Sequence, residues 1–162
     1  MAGRLAPRLH HALLVGWRYL PLWARRIAIR VLYPRFPIGA VGIIRDDAGR
    51  ILLVRQTYHR RERWGAPGGW LGSSETPRDT VARETLEELG IQVTVGRVLA
   101  VSAGPFGEIS LAFECQIAGD PAMSLSDEID RAAYFSPDDL PPLADYTQRL
   151  LEEAVGKVKG EK

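Results

Sequence analysis

The chain has 162 residues, 46% of them hydrophobic and 25% charged. That suits one domain with an ordinary core, and it excludes wholesale disorder or dependence on a disulfide scaffold. The only cysteine, Cys115, cannot pair within the chain, so a reducing, cytoplasmic setting is expected. No uncharged apolar run approaches the ~18 residues of a membrane span. The net charge of +1 conceals a split. Residues 1–45 hold eight arginines and no acid, which leaves 13 basic and 20 acidic residues, a net of −7, in residues 46–162.

Residues 5–33 read as helix broken near Pro21, giving segments over 5–19 and 22–33. Leu20, Trp23, Ala24, Ile27 and Val31 share one side, and Arg18, Arg25, Arg26 and Arg30 share the other. Such a basic arm either packs on the body or on a second copy as a homodimer, or lies on a membrane surface, where Trp17, Tyr19 and Trp23 suit the interface. A transit peptide is disfavoured because residues 1–45 lack Ser and Thr, and a signal peptide because Arg18 interrupts the apolar stretch. The Pro34–Pro37 break divides an arm, 1–36, from a domain over 37–155, with a charged tail over 156–162.

In the domain, Val41–Arg45 and Ile51–Gln56 are β-rich runs joined by Asp46-Asp47-Ala48-Gly49, a hairpin pattern. A loop holding His59, Arg61 and Arg63 leads to Trp64 and then to Gly65-Ala66-Pro67-Gly68-Gly69, which is expected to be irregular. Short strands are expected over 91–95 and 97–101. A longer one over 108–117 places Ile109, Leu111, Phe113, Cys115 and Ile117 on one face. Ser136-Pro137 opens a helical turn, and 145–155 reads as a final helix.

Residues 76–90 carry the chemistry. Thr76 is a good N-cap, Pro77 suits the first helical position, Asp79 completes a capping box, and Gly90 suits the C-terminal cap. At about 100° per residue, Val81, Ala82, Thr85, Leu86 and Leu89 form a core arc. Glu84, Glu87 and Glu88 gather on the other side within about 100° and two turns. Like charges at that spacing destabilise a helix, and a divalent cation relieves the repulsion. Oxygen ligands in an open site suit Mg²⁺ or Mn²⁺ bridging to substrate phosphates. From these residues alone, a solvated acidic face with Arg83 as partner is the simpler reading.

The spacing goes further. Gly69, Glu75, Arg83-Glu84 and Glu87-Glu88-Leu89-Gly90-Ile91 follow the pattern G-x₅-E-x₇-R-E-U-x-E-E-x-G-U, with U a bulky aliphatic residue. In this stretch, and through roughly 38–155, the chain resembles a Nudix hydrolase. Every fixed position is filled, and the one departure is Thr85 at the first aliphatic site. It falls in the core arc, where its hydroxyl can bond the Val81 carbonyl, so stability rather than chemistry feels the change.

The resemblance implies an α/β/α sandwich around a mixed sheet. It also implies Mg²⁺- or Mn²⁺-dependent cleavage of the diphosphate linkage in a nucleoside diphosphate joined to another moiety. Carried over by position, Glu84, Glu87 and Glu88 would bind metal, joined by the Gly68 carbonyl. Glu75 and Arg83 would orient loop and helix. Glu84 is the first choice of general base, and Glu128 sits where some members supply an extra acid. Arg55, Arg61, Arg63 and Trp64 border the glycine loop with Gly69 and are candidates for holding phosphate and base. Position 107 is glycine, not the proline that ADP-ribose-cleaving members tend to carry there. A nucleotide-type diphosphate is the expected substrate, and no specific nucleic-acid partner is expected. The alternatives are a non-catalytic nucleotide-binding Nudix module and a membrane-tethered hydrolase of a lipid-linked diphosphate.

Overall fold

A computed structural model describes residues 15–33, 35–58, 63–104 and 107–159. The chain divides into two compact units, 1–35 and 36–162.

In the first unit, residues 15–19 are helical and a second helix, α1, runs Leu22–Leu32. Pro21 stands at the N-cap between them with no side-chain cap, since its ring carries no acceptor. The Arg25 guanidinium donates to the Arg18 carbonyl at 2.7 Å and lies 6.0 Å from the Trp17 ring centroid. No residue of α1 is buried. The expected segment over 5–14 lies outside the described residues.

Among its described residues the second unit is a mixed α/β sandwich of seven strands and two helices. The strands are β1 (Ile38–Ile44), β2 (Ile51–Gln56), β3 (Trp64–Gly65), β4 (Gly68–Trp70), β5 (Val93–Ala103), β6 (Ile109–Ile117) and β7 (Ile129–Phe135). The helices are α2 (Pro77–Leu89) and α3 (Asp145–Lys159). One sheet has the order β4-β1-β6-β5 and the other β3-β2-β7. β1 and β6 are parallel, and the other pairs are antiparallel.

The apolar runs in β1 and β2 exist because both faces are covered. Val41, Ile43, Ile51 and Leu53 join Leu150, Leu151 and Ala154 of α3 in one core. Ala40, Ile44, Leu52 and Val54 join Val81 and Leu89 of α2, with Phe113 and Cys115, in the other.

Three expectations are corrected. The turn after Ile44 forms, with Asp46 Oδ1 accepting from the N–H groups of Ala48 and Arg50, but the strands it joins separate. Beyond a single bridge, Arg45 to Ile51, β1 and β2 enter different sheets. Separate strands over 91–95 and 97–101 are replaced by one strand, β5, whose register against β6 slips between Val95 and Ala100. A bulge absorbs the extra residues and sharpens the twist. Residues 65–69 are not irregular throughout, because Gly68–Trp70 pairs antiparallel with β1 in register Val41↔Gly68 and Gly39↔Trp70. Strand β7, paired along β2, has no counterpart in the sequence reading.

Candidate functional site

The helix α2 is fixed locally at both ends. Thr76 Oγ1 accepts from the Asp79 N–H, and the Asp79 carboxylate accepts from the Thr76 N–H at 3.0 Å, a complete capping box. Gly90 ends the helix at φ 69°, with its N–H on the Leu86 carbonyl. That left-handed conformation favours glycine. Between these ends the buried residues are Thr80, Val81, Thr85, Glu88 and Leu89. Periodicity had placed Leu86 in the core arc, but Leu86 is 46% exposed and Glu88 only 4%. Thr85 is buried, with its hydroxyl on the Val81 carbonyl at 2.7 Å.

The helix is turned this way because the Glu88 carboxylate is held from across the sheet edge. Glu88 Oε2 accepts from the Gly68 N–H at 3.1 Å and Oε1 from the Gln56 amide at 3.4 Å. Neither donor carries a charge. Burial pushes the Glu88 carboxyl up to about 7; these two hydrogen bonds oppose the rise, and the charges of Glu84 and Glu128 add to it.

Gly68 has φ 146°, and a Cβ there would run into the backbone of Ala40 and Val41. Only glycine lets β4 lie this close to β1 while presenting its N–H to Glu88. At Gly69 a Cβ would collide with the Glu84 carboxylate, so Glu84 rests directly on that backbone.

Arg83 organises the remaining carboxylates. Its Nε meets Glu75 Oε1 at 2.6 Å and its Nη2 meets Glu75 Oε2 at 3.2 Å; its Nη1 lies 2.9 Å from both Glu84 Oε1 and Glu87 Oε2. Glu75 also accepts from the Gly72 N–H at 3.0 Å and the Thr80 hydroxyl at 2.9 Å. The Arg83 guanidinium, followed by those two bonds, holds the Glu75 carboxyl down at about 2. Arg83 is in turn held more firmly protonated, Glu75 being the largest cause.

A cleft of about 310 Å³ opens beside Gly68 and Gly69, lined also by Gln56, Tyr58, Trp70, Glu108, Ser110 and Tyr146. The sequence reading named Gly68 and Gly69 but none of these others. Tyr58 and Trp70 are each about 60% exposed, at 61% and 60%. Gln56 follows a register slip at the end of β2, and Trp70 follows the glycine pair. An aromatic placed directly after two glycines was the only local sign.

Gly68 and Gly69 line this cleft; Glu84 and Glu88 do not, but each touches residues that do, Glu88 bonding Gly68 and Gln56 and Glu84 lying against Gly69. Glu87 is held on Arg83, with its side chain 59% exposed. Glu128 is exposed on the turn before β7, and its carbonyl accepts the Thr57 N–H at 2.9 Å. Arg55, Arg63 and Trp64 do not line the cleft. Arg55 Nε donates to Asp130 Oδ2 at 2.8 Å across β2 and β7, and Arg63 is ion-paired with Asp145 at the start of α3. Trp64 packs edge-on against Phe135 with ring centroids 4.8 Å apart. His59 and Arg61 lie outside the described residues.

Among the described residues, no three His, Cys, Asp or Glu side chains are already gathered as a metal cluster. The donors nevertheless fit a hard divalent cation. They are all oxygen, and the innermost is a desolvated carboxylate with two further carboxylates adding to its strain.

A family model, described as the NUDIX domain, matches residues 35–154. A MutT-like protein of Streptomyces ambofaciens is 32% identical over 126 residues, covering 76% of this chain and 80% of that protein. The NAD-capped RNA hydrolase NudC of Klebsiella pneumoniae is 34% identical over 134 residues, covering 80% of this chain; the chain spans 51%, about half, of that relative's length. Among solved structures, an ADP-ribose pyrophosphatase from Streptococcus suis superposes with a TM-score of 0.66 at 25% identity, covering 79% of this chain and 96% of that one.

Proposed function

This chain belongs to the Nudix hydrolase family, and from that premise we propose that it is a divalent-metal-dependent pyrophosphohydrolase. Its substrate would be a nucleoside diphosphate joined to another moiety, and the bond cleaved the diphosphate linkage. The observation that carries the reading is Glu88, a carboxylate 4% exposed, held by the Gly68 N–H and raised in pKa by burial beside Glu84 and Glu128. A group so placed costs stability unless something uses it.

Glu84, Glu87 and Glu88 would hold the cation together with the Gly68 carbonyl, with Glu128 as the further acid. Magnesium or manganese suits the oxygen donors. When bound, the cation supplies charge screening at the phosphate oxygens and acidifies water. The chain's own residues do the rest. Glu84, whose side chain is 19% exposed against Gly69, would take the proton as general base. Arg83 and Glu75 fix where Glu84 and Glu87 stand. Gly68 and Gly69 let β1 and the Glu84 carboxylate approach this backbone closely. Tyr58 and Trp70 offer exposed ring surface for a base in the same cleft.

The test is a panel of nucleotides, nucleotide sugars and dinucleotides, assayed with Mg²⁺, with Mn²⁺ and in excess chelator. NAD and ADP-ribose are included because similar proteins are named for NAD-capped RNA and ADP-ribose. Turnover is expected on at least one diphosphate, only with a cation, and with both products carrying a terminal phosphate. Full turnover in chelator, or none on any diphosphate with either cation, would sink the reading.

A further inference from the structure

The arm poses a separate question, independent of which diphosphate is cleaved. On α1 one half of the circumference is wholly apolar. At about 100° per residue, Trp23, Ile27, Val31 and Leu32 fall within that half, with only alanines between them. The other half holds all three arginines, Arg25, Arg26 and Arg30, together with Leu22 and Ile29. The four large apolar side chains are 67%, 53%, 76% and 71% exposed, so nothing within the arm's own unit covers this face.

The charge indicates what would cover it. Every polar side chain of α1 is an arginine, and residues 1–45 contain no acid at all. Two such arms repel each other, which weighs against the arms of two copies pairing with one another. Residues 46–162 carry a net −7 and are themselves repelled by an anionic surface, so attraction to one would come from the arm. Trp23 stands at the edge of the apolar half beside Arg30, where an indole sits at the level of lipid headgroups. Among the described residues no helix is long and apolar enough to cross a membrane, and an 11-residue helix extends only about 16 Å. A short helix with an apolar half, an arginine-bearing half and an aromatic at the boundary lies in the plane of a bilayer.

We propose that α1 is an interfacial helix that docks this protein on anionic lipid. Trp23, Ile27 and Val31 enter the acyl boundary, while Arg26 and Arg30 meet the lipid phosphates.

The full chain is mixed with phosphatidylcholine vesicles and with phosphatidylcholine–phosphatidylserine vesicles, and bound protein is recovered by flotation. Protein is expected to float with the serine-lipid vesicles, to stay behind with phosphatidylcholine alone, and to be released by added salt. The I27E/V31E variant is expected to stop floating. The R26E/R30E variant is expected to lose at least about fivefold in partitioning for each arginine removed. Both should keep the wild-type melting temperature and its rate on soluble substrate. Failure of the wild type to float, or equal flotation by I27E/V31E, overturns the proposal. So does a wild-type dimer that I27E/V31E makes monomeric, since the occupant is then a second copy. A melting temperature lowered in both variants also overturns it, since the face then covers the protein's own body.

Discussion

Helix α2 is capped by side chains at its start and by Gly90 at its end, and it seats Val81 and Leu89 in a core. Helix α1 starts at a proline without a side-chain cap, stops at Tyr33 and buries nothing. Each departs from the usual partition of polar and apolar groups, in opposite senses. α2 carries an ionisable carboxyl, Glu88, inside, and α1 leaves Trp23, Ile27, Val31 and Leu32 in water. Both departures sacrifice folding stability, and neither is explained by packing. Local consistency fails where a molecule has something to bind. In α2 that failure is a single residue within an otherwise consistent helix, and in α1 it is a whole face.

Glu88→Gln tests the α2 side most severely. Turnover should fall by roughly 10²–10⁴-fold, since glutamine keeps shape but loses the charge that a cation needs. The fold should be unharmed. The native state raises the Glu88 pKa from 4.5 to about 7, so it favours the protonated acid. That contribution is fully present below about pH 4.5 and is lost as pH rises through about 7. In chelator, the variant should therefore gain on the order of 3 kcal/mol relative to wild type between pH 4 and pH 8. Melting curves at both pH values, with steady-state rates, check both halves. A variant less stable at pH 8 with normal turnover would make Glu88 a structural residue.

Paired truncations sharpen the contrast between the helices. Val81→Ala, at a site with no exposure, should cost about 2 kcal/mol in urea unfolding. Val31→Ala, at a site 76% exposed, should stay within about 0.5 kcal/mol of wild type. Equal costs would mean that α1 has a covered face after all.

Arg83→Ala should lower turnover by about 10–100-fold, because Glu84 and Glu87 lose the cation that positions them. It should also change the acid limb of stability. Glu75 is held at about 2 by Arg83 first, so its contribution is present above about pH 4.5 and is lost as pH falls toward 2. Acid titrations of the variant should show that limb flattened. The smallest effect belongs to Thr85→Val. Its hydroxyl only repeats a bond on the Val81 carbonyl, so turnover should hold within about twofold and stability within about 1 kcal/mol.

The contrast also accounts for what could be read in advance. The ends of α2 were legible because Thr76, Asp79 and Gly90 act on backbone within one turn. The strand Ile51–Gln56 was legible because its residues are apolar on both faces. The separation of β1 from β2 was not, since it depends on β6 and β7 drawing them into different sheets. Arg55 and Arg63 looked like neighbours of the glycine loop, yet their partners Asp130 and Asp145 are 75 and 82 residues away. Periodicity put Glu88 with the other glutamates. The Gln56 amide and the Gly68 N–H, the latter delivered by a strand with two glycines that no propensity marks as β, show why it points inward.

The parallel pairing of β1 with β6 has a consequence in time. β4, which delivers Gly68 to Glu88, is held by β1, and β1 is itself flanked by a strand that begins at Ile109. On a growing chain, α2 has both its caps once Gly90 has emerged. The other wall of the cleft must wait until residues 109–117 exist and run back alongside residues 38–44. Local turns close in microseconds or less, whereas distant strand pairing is the slow event in such topologies. Contact order therefore predicts that the glutamate helix forms early and the Gly68 contact late, which φ-values at Asp79 on the helix and at Val41 on β1 would check.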